Sequence, residues 1–322
     1  MAIAPKGLYI AEGGNETANE GKLFRWNDVD TLVEVAPMLG SEERIYGLTL
    51  FKGRIYGGTR DSGFLYEWNG VDAWVKVADQ VDGHIIMCLY VFKNKLYGGT
   101  FKTAPDGGAL FVWNGVDTWE VAAPAYGSQG YILDLVEFEN ELYGGTQQSG
   151  RLYKWNGVDA WTQVAANNTD DPRGLVVFNG KIYGTTQLHA QLHEWNAVDD
   201  WTLKAAQYDS QVIAWSPLVF NNELYATTGH KDDVEGGRLL KWNGTNAWEE
   251  MAGKSGSNTI LSSLVEYNGK LYAGHVDLLE WNGVNAWVAK ASLPDTGEIR
   301  NMVVSDSVGI RDARRYRNRR NF

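Results

Sequence analysis

The chain has 322 residues, of which 44% are hydrophobic and 12% aromatic, and its formal net charge is −11. This acidic balance disfavours nucleic acid as the main ligand, because phosphate binding requires a positive field. The single cysteine, Cys88, excludes an intrachain disulfide. Residues 1–6 lack the apolar segment of a signal peptide, and no apolar run approaches about eighteen residues. We therefore expect neither export through a cleaved signal nor a membrane span.

One sequence motif recurs along the chain. It consists of an apolar segment that ends in Trp-Asn, a short polar turn, and a second segment that usually begins with Trp. The Trp-Asn pairs begin at Trp26, Trp68, Trp113, Trp155, Trp195, Trp242 and Trp281. Their average spacing is about 42 residues. A period of this length, in a chain rich in strand formers and glycine, is typical of β-propeller blades.

Within each repeat, turn-forming residues separate four short apolar segments. In residues 44–79 the predicted strands cover 44–51, 54–59, 64–68 and 74–78, with Lys52-Gly53 in the first turn and Asn69-Gly70 in the last. Four such strands in sequence predict one antiparallel meander. The fold class predicted for the chain is therefore all-β, a seven-bladed β-propeller of four-stranded antiparallel blades.

The two ends of the chain indicate how the ring closes. Residues 7–11 match the second strand of a blade, with no full strand before them, whereas residues 299–305 match a first strand with nothing after them. Pairing of these two segments would complete the blade that contains Trp26 and remove two unpaired sheet edges. We accordingly predict one propeller over residues 1–310 and a separate basic tail over residues 311–322.

The connections differ between the two faces of such a ring. The turns between strands one and two, and the Trp-Asn turns, are uniformly tight and share one flat face. The longer connections, at residues 12–22, 103–108, 166–173 and 229–237, gather on the opposite face around the mouth of the channel. Variable loops on a rigid frame are the usual place for recognition.

The repeats resemble those of Kelch-type and galactose-oxidase-like propellers over about residues 7–305. The resemblance rests on a Gly pair followed by Tyr and Trp, as in Gly57, Gly58, Tyr66 and Trp74; the pair is lost at Thr185 and Ala226. The sequence of the Trp-Asn repeat also resembles repeats in propellers of tailed-bacteriophage structural proteins. These resemblances imply the fold and no particular activity.

One column of innermost-strand residues marks a candidate ligand face. It reads Tyr46, Met87, Leu133, Arg173, Trp215, Ser262 and Arg300. Arg173, Trp215 and Arg300 break the pattern close to the loop-rich face. With the aromatic residues Tyr126, Tyr131 and Tyr208 they form the candidate ligand face; side chains that merely fill the channel are the simpler interpretation of the column.

Catalytic and metal-binding patterns are weak in this sequence. The five histidines lie in or near different loops, and none has a partner at a spacing diagnostic of a metal site. Three of them meeting at the channel mouth around a metal is the alternative. We expect no catalytic residue, no cofactor and no resident metal.

The C-terminal tail is the sharpest departure from the repeat. It contains Arg311, Arg314, Arg315, Tyr316, Arg317, Arg319 and Arg320, and its net charge of +5 leaves −16 on the rest of the chain. Arginine pairs well with carboxylates, and Tyr316 can anchor between such pairs. We expect these residues to bind an acidic surface of a protein subunit; binding of RNA or DNA by the tail is the competing interpretation.

These features favour a non-enzymatic structural or interaction module. Within that class the expectation is a virion-associated protein of a tailed phage, for capsid decoration or for the tail, attached through its flat face and its arginine-rich arm. It would act in a virion or in the cytoplasm, without membrane binding. The first alternative is a lectin-like propeller that binds carbohydrate on the variable-loop face. The second is a lyase or glycosidase with an active site at the channel mouth.

Overall fold

The computed structural model describes residues 3–13, 21–37, 44–103, 106–127, 130–147, 150–166, 170–230, 236–294 and 297–306. These residues contain β-strands and turns but no helix, and hence no helical segment able to cross a bilayer. The predicted tail residues 311–322 lie outside the described part of the chain.

In chain order the first half of the strands is β1 (Gly7–Gly13), β2 (Leu23–Trp26), β3 (Leu32–Ala36), β4 (Ile45–Phe51), β5 (Arg54–Thr59), β6 (Leu65–Trp68), β7 (Trp74–Ala78), β8 (Ile85–Phe92), β9 (Lys95–Phe101), β10 (Leu110–Trp113), β11 (Trp119–Ala123), β12 (Ile132–Phe138), β13 (Glu141–Thr146), β14 (Leu152–Trp155) and β15 (Trp161–Ala165). The second half is β16 (Pro172–Phe178), β17 (Lys181–Thr186), β18 (Leu192–Trp195), β19 (Trp201–Ala205), β20 (Ile213–Ala214), β21 (Leu218–Phe220), β22 (Glu223–Gly229), β23 (Leu239–Trp242), β24 (Trp248–Ala252), β25 (Ser263–Tyr267), β26 (Lys270–Gly274), β27 (Asp277–Trp281), β28 (Trp287–Ser292) and β29 (Glu298–Ser305).

The strands form seven antiparallel sheets, which we number as blades I to VII. Blade I has the order β29-β1-β2-β3, and blades II to V and VII are meanders of four consecutive strands. In blade VI the innermost strand is divided into β20 and β21, because Pro217 lies between them and cannot donate a ladder hydrogen bond. The predicted seven-bladed, all-β fold is confirmed.

Ring closure follows the predicted pairing of the chain ends. The register of β1 against β29 runs from Gly7 opposite Ser305 to Gly13 opposite Glu298. The Ser305 hydroxyl also donates a hydrogen bond to the Ala4 carbonyl oxygen at 2.8 Å. Both strands are longer than the segments expected from the sequence, and every residue of β1 is buried.

The Gly pair on the second strand of a blade serves two different contacts. A Cβ on the first glycine would lie 3.2 Å from the indole of its own blade's outer strand, at Gly57 against Trp74 and at Gly98 against Trp119. A Cβ on the second glycine would overlap the inner strand of the next blade, as at Gly58 against Ile86. The pair therefore lets an indole lie flat on the sheet and lets the neighbouring blade approach closely.

The Trp of each Trp-Asn pair joins its blade to the preceding one. The Nε1 of Trp68 donates to the Val35 carbonyl at 3.0 Å, and the Nε1 of Trp195 donates to the Val164 carbonyl at 2.8 Å. The same indoles are buried in hydrophobic clusters that combine residues of adjacent blades. Repeated Trp positions are thus core positions, as an antiparallel sheet stack requires.

Substitution of the second glycine tests this blade contact. We expect Gly58→Ala to lower the free energy of unfolding by about 2 kcal/mol, because the added methyl overpacks against Ile86. In an Ile86→Ala background the same substitution should cost clearly less. Gly253→Ala is the matched control, since its Cβ would meet only the carboxylate end of Glu250. Urea unfolding measures all variants, and equal costs of Gly58→Ala in both backgrounds would contradict the contact.

Candidate functional site

The column of candidate residues on the inner strands coincides with a repeated β-bulge. The strand register skips one residue at Tyr46, Met87, Leu133, Arg173 and Arg300. A bulge leaves the extra residue without a ladder partner and re-aims its side chain. All five are half-buried. The bulges place them in equivalent positions near the loop-rich end of the inner strands, where the channel opens.

Arg173 and Trp215, from blades V and VI, are in direct contact. The Arg173 guanidinium carbon lies 3.7 Å from the centroid of the Trp215 ring. Its Nη1 donates to Oε1 of Gln187 at 2.5 Å. No carboxylate of the described residues lies within ion-pair distance of this guanidinium. Burial lowers the pKa of Arg173 to about 10, and the nearby charge of Arg300 acts in the same direction.

Arg300 belongs to blade I and carries a carboxylate partner. Its Nη2 lies 2.7 Å from Oε2 of Glu298, whose other oxygen is 3.3 Å from Nε2 of His275. Burial opposes ionisation of Glu298, but the His275 contact and the Arg300 charge outweigh it and lower the pKa of this carboxyl. Arg173 and Arg300 are close enough for their charges to interact. Arg173 and Trp215 are thus in contact and Arg300 lies within electrostatic range of Arg173. We call these three residues the mouth cluster: Arg173, Trp215 and Arg300.

Aromatic residues flank the mouth cluster. Tyr131 stacks on Phe101 with the ring centroids 4.0 Å apart and the ring planes at 19°. The Arg60 guanidinium carbon lies 5.4 Å from the Tyr46 ring centroid. Both tyrosines are within electrostatic range of Arg173. Tyr131 was predicted from sequence, whereas Tyr46 entered only as a member of the column and Arg60 was missed.

Tyr126 and Tyr208 lie in separate places on the loop-rich face. Tyr126 is 43% exposed and packs on Tyr153 with ring centroids 4.8 Å apart. These two line a crevice between blades III and IV, with Trp161 at its wall. Tyr208 faces Arg238, whose guanidinium carbon is 5.7 Å from the ring centroid. The candidate ligand face is thus three separate sites, and Arg311, Arg314, Arg315, Tyr316, Arg317, Arg319 and Arg320 lie outside the described residues.

The histidines have local partners of their own. His84 Nδ1 lies 2.9 Å from the Thr100 hydroxyl, His189 Nδ1 lies 3.4 Å from Asp170, and His193 Nε2 lies 2.9 Å from Gln191. His275 pairs with Glu298. No group of three or more potential metal ligands occurs in the part of the chain that the structure describes.

The flat face carries seven copies of one rigid turn. In blade II, Oδ1 of Asn69 accepts hydrogen bonds from the backbone N–H groups of Val71, Asp72 and Ala73 at 2.8, 3.0 and 3.1 Å. Gly70 takes a φ of 83°, which favours glycine. The same set of three bonds forms at Asn27, Asn114, Asn156, Asn196, Asn243 and Asn282. The backbone of every Trp-Asn turn is therefore fixed by its own side chain.

The tips of these turns are apolar and exposed. Six carry valine at the same position, with 65% to 74% of each residue exposed: Val29, Val71, Val116, Val158, Val198 and Val284. The seventh carries Thr245. Sequence reasoning treated the turn as structural and missed this ring of valines. The signal was available, because a β-branched apolar residue recurs where a solvent-exposed turn needs none.

No family model and no curated protein matches the chain. Its structure is similar to the WD40 β-propeller domain of Doa1, with a TM-score of 0.58 and 13% identity over 93% of this chain and 94% of that one. The chain shares the β-propeller fold. It is also similar to an inactive virginiamycin B lyase from Staphylococcus aureus, with a TM-score of 0.60 and 10% identity over 79% and 86% of the two chains.

A third similar structure is the GH74 enzyme of Niastella koreensis, with a TM-score of 0.57 and 18% identity. The match covers 76% of this chain and 45% of that enzyme. At these identities the likeness shows the fold alone. Enzymes and a WD40 domain both share it, so the fold does not decide between catalysis and interaction.

His193 makes stability depend on pH. Burial lowers its pKa from 6.5 to about 4, so the unfolded chain binds the proton more tightly than the folded one. Its contribution is constant above about pH 6.5 and is lost as the pH falls towards 4, up to about 3 kcal/mol. We expect His193→Gln to flatten the fall in unfolding free energy between pH 7 and pH 5, measured with urea. An unchanged slope would contradict this role; His189→Gln, at a half-exposed histidine, is the control.

Proposed function

We propose that the protein is a non-enzymatic structural module that attaches to other protein subunits through its flat face. The observation that carries the proposal is the ring of six exposed valines on the Trp-Asn turns. Scattered exposed apolar residues are ordinary on protein surfaces. Six at equivalent positions, on one face of a rigid ring, are the apolar contacts of a broad and flat interface.

The turn geometry suits this use. Because Asn69 and its equivalents hold the turn backbone through three hydrogen bonds, the valines lose little conformational freedom when a partner covers them. Each covered valine contributes at most about 1.5–3 kcal/mol by removal of apolar area from water. Several such contacts together stabilise an interface that no single one does.

The charge of the chain supports a second contact through the tail. The body outside residues 311–322 carries a net charge of −16, whereas the tail carries +5. We propose that Arg311, Arg314, Arg315, Arg317, Arg319 and Arg320, with Tyr316, bind an acidic surface of the same partner subunit. The proposed setting is the virion of a tailed phage, where the protein serves in capsid decoration or in the tail. This setting rests on the resemblance of the repeat sequence to repeats in propellers of tailed-bacteriophage structural proteins.

Carbohydrate binding is the second candidate function, and the crevice between blades III and IV favours it. Tyr126, which is 43% exposed, offers an aromatic surface there, beside the buried rings of Tyr153 and Trp161. Aromatic rings are the usual platforms for apolar faces of ligands. This site lies on the loop-rich face and is compatible with attachment through the other face.

Replacing valines at the tips of the Trp-Asn turns by lysine should detach the protein from the virion. We expect Val71→Lys, Val158→Lys and Val198→Lys, combined in one variant, to lower the particle-bound fraction at least about tenfold, because three apolar contacts become buried charges. The measurement is co-sedimentation of tagged protein with virions from producing cells. The matched control combines Val75→Lys, Val121→Lys and Val288→Lys, which change exposed valines on outer strands by the same charge.

The same assay separates the two proposed contacts. A chain that ends at residue 310 should bind particles weakly if the tail docks, and normally if the flat face alone attaches the protein. Wild-type protein absent from particles, or tip and control variants bound equally well, would overturn the proposed attachment.

A glycan array tests the second candidate. Wild-type protein should bind a defined set of glycans, and Tyr126→Ala should abolish that binding because it removes one wall of the crevice. Tyr208→Ala is the control, since Tyr208 lies beside Arg238 in blade VI. An array without hits for the wild-type protein would remove this candidate.

A further inference from the structure

The mouth cluster contains one cationic group, Arg173, that no carboxylate of the described residues neutralises; Arg300 is paired with Glu298. Arg173 has an amide oxygen and an indole as its contacts, with no carboxylate at ion-pair distance among the described residues. Asp171 attracts this cation only through the longer-range interaction of the two charges. A half-buried cation with no paired anion is costly to keep. In a chain with a net charge of −11, such a group indicates a ligand more than a structural need.

Another arginine on the same loop-rich face shows what a neutralised site looks like. Arg238 also lies against an aromatic ring, that of Tyr208. Its Nη2 is 3.4 Å from Asp209, and its Nη1 is paired with Glu250. The two arginine–aromatic contacts have different electrostatic surroundings: Arg238 has two carboxylate partners, whereas Arg173 has none in the part of the chain that the structure describes. Arg173 therefore differs from Arg238 in keeping its charge available to a ligand.

The mouth cluster also contains buried hydrogen-bond donors, in addition to the charge of Arg173. The Nε of Arg300 and the Nε1 of Trp215 are buried without an acceptor among the described residues, as are the Nε of Arg238 and several indole Nε1 groups elsewhere in the ring. A buried donor without an acceptor costs about 1–3 kcal/mol. The donors of Arg300 and Trp215 belong to the mouth cluster, so an acceptor-rich group placed there would satisfy donors and charge together.

The stacking of Arg173 on Trp215 also orients the guanidinium. A guanidinium held flat on a ring directs its N–H groups sideways in its own plane. One of these groups is used by Gln187. Carboxylate and phosphate oxygens match the remaining N–H edge, because they accept two parallel hydrogen bonds from arginine. The bulges of β16 and β29 place Arg173 and Arg300 at equivalent positions of two inner strands, and their charges are within interaction range.

From these contacts we propose that the mouth cluster is a binding site for an oxyanion, the carboxylate or phosphate group of a small molecule, held between Arg173 and Arg300. Arg173 contributes the main charge and an oriented edge of donors. Arg300 contributes a second charge, which Glu298 shares on its other side. The site lies on the face opposite the valine ring, so ligand binding and attachment of the flat face do not compete.

Binding of defined anions tests the site. Isothermal titration calorimetry of the full-length protein with inorganic phosphate and, separately, with D-glucuronate should show saturable binding of at least one of them at constant ionic strength. Binding of phosphate alone assigns a phosphate ligand, and binding of glucuronate alone assigns a carboxylate ligand. No saturable binding of either probe would overturn the proposal.

Variants locate the site on the protein. Arg173→Gln should weaken binding of the effective probe at least about tenfold, equivalent to about 1.4 kcal/mol, and Arg300→Gln should weaken it in the same direction. Arg238→Gln should leave the affinity unchanged, because that arginine is already neutralised. Thermal unfolding with and without the probe gives a second readout if one variant is poorly folded. Wild-type affinity in both Arg173→Gln and Arg300→Gln would refute the site.

Discussion

The pairing of β1 with β29 is the constraint on which the structure depends. It joins residues from the two ends of the chain in one sheet and turns a row of seven meanders into a closed ring. Without it, β1 and the inner edge of blade I would present unpaired backbone groups to solvent. In the ring every blade keeps the same strand order from its inner to its outer edge, so the tight Trp-Asn turns lie on one face and the long loops on the other. The two proposed binding surfaces follow from that separation.

Within the ring, glycine and tryptophan set how closely the blades approach. Gly58 leaves room for Ile86 of the next blade, and Gly57 seats Trp74 of its own. Where the second glycine becomes Thr185, its hydroxyl donates to the Trp215 carbonyl at 2.9 Å instead. That bond ties blade V to the backbone of the residue on which Arg173 stacks. The departure from the repeat and the candidate oxyanion site are therefore neighbours in the structure.

The fold could be predicted from the sequence because its determinants are local and repeated: turn residues, alternating apolar positions and the Trp-Asn motif. The sequence singled out Arg173, Trp215 and Arg300, because they stand in one column of inner-strand residues. The contact between Arg173 and Trp215 could not be predicted, because it depends on a β-bulge and on the angle between two blades. Tyr126 and Tyr208 were grouped with that trio, but loops of different blades separate them. The valine tips were visible in the repeat, yet only their exposure distinguishes a contact surface from a core position.

Chemical cross-linking of the two chain ends tests ring closure most directly. Ile3 is exposed, and Asp306 follows Ser305, which bonds to Ala4. With cysteines at positions 3 and 306, and with buried Cys88 unreactive, a short bis-maleimide should join both sites within one chain. The peptide pair identified by mass spectrometry should be absent when position 3 is paired with position 158 in blade IV. Only single-ended adducts or cross-linked dimers at positions 3 and 306 would contradict the closed ring.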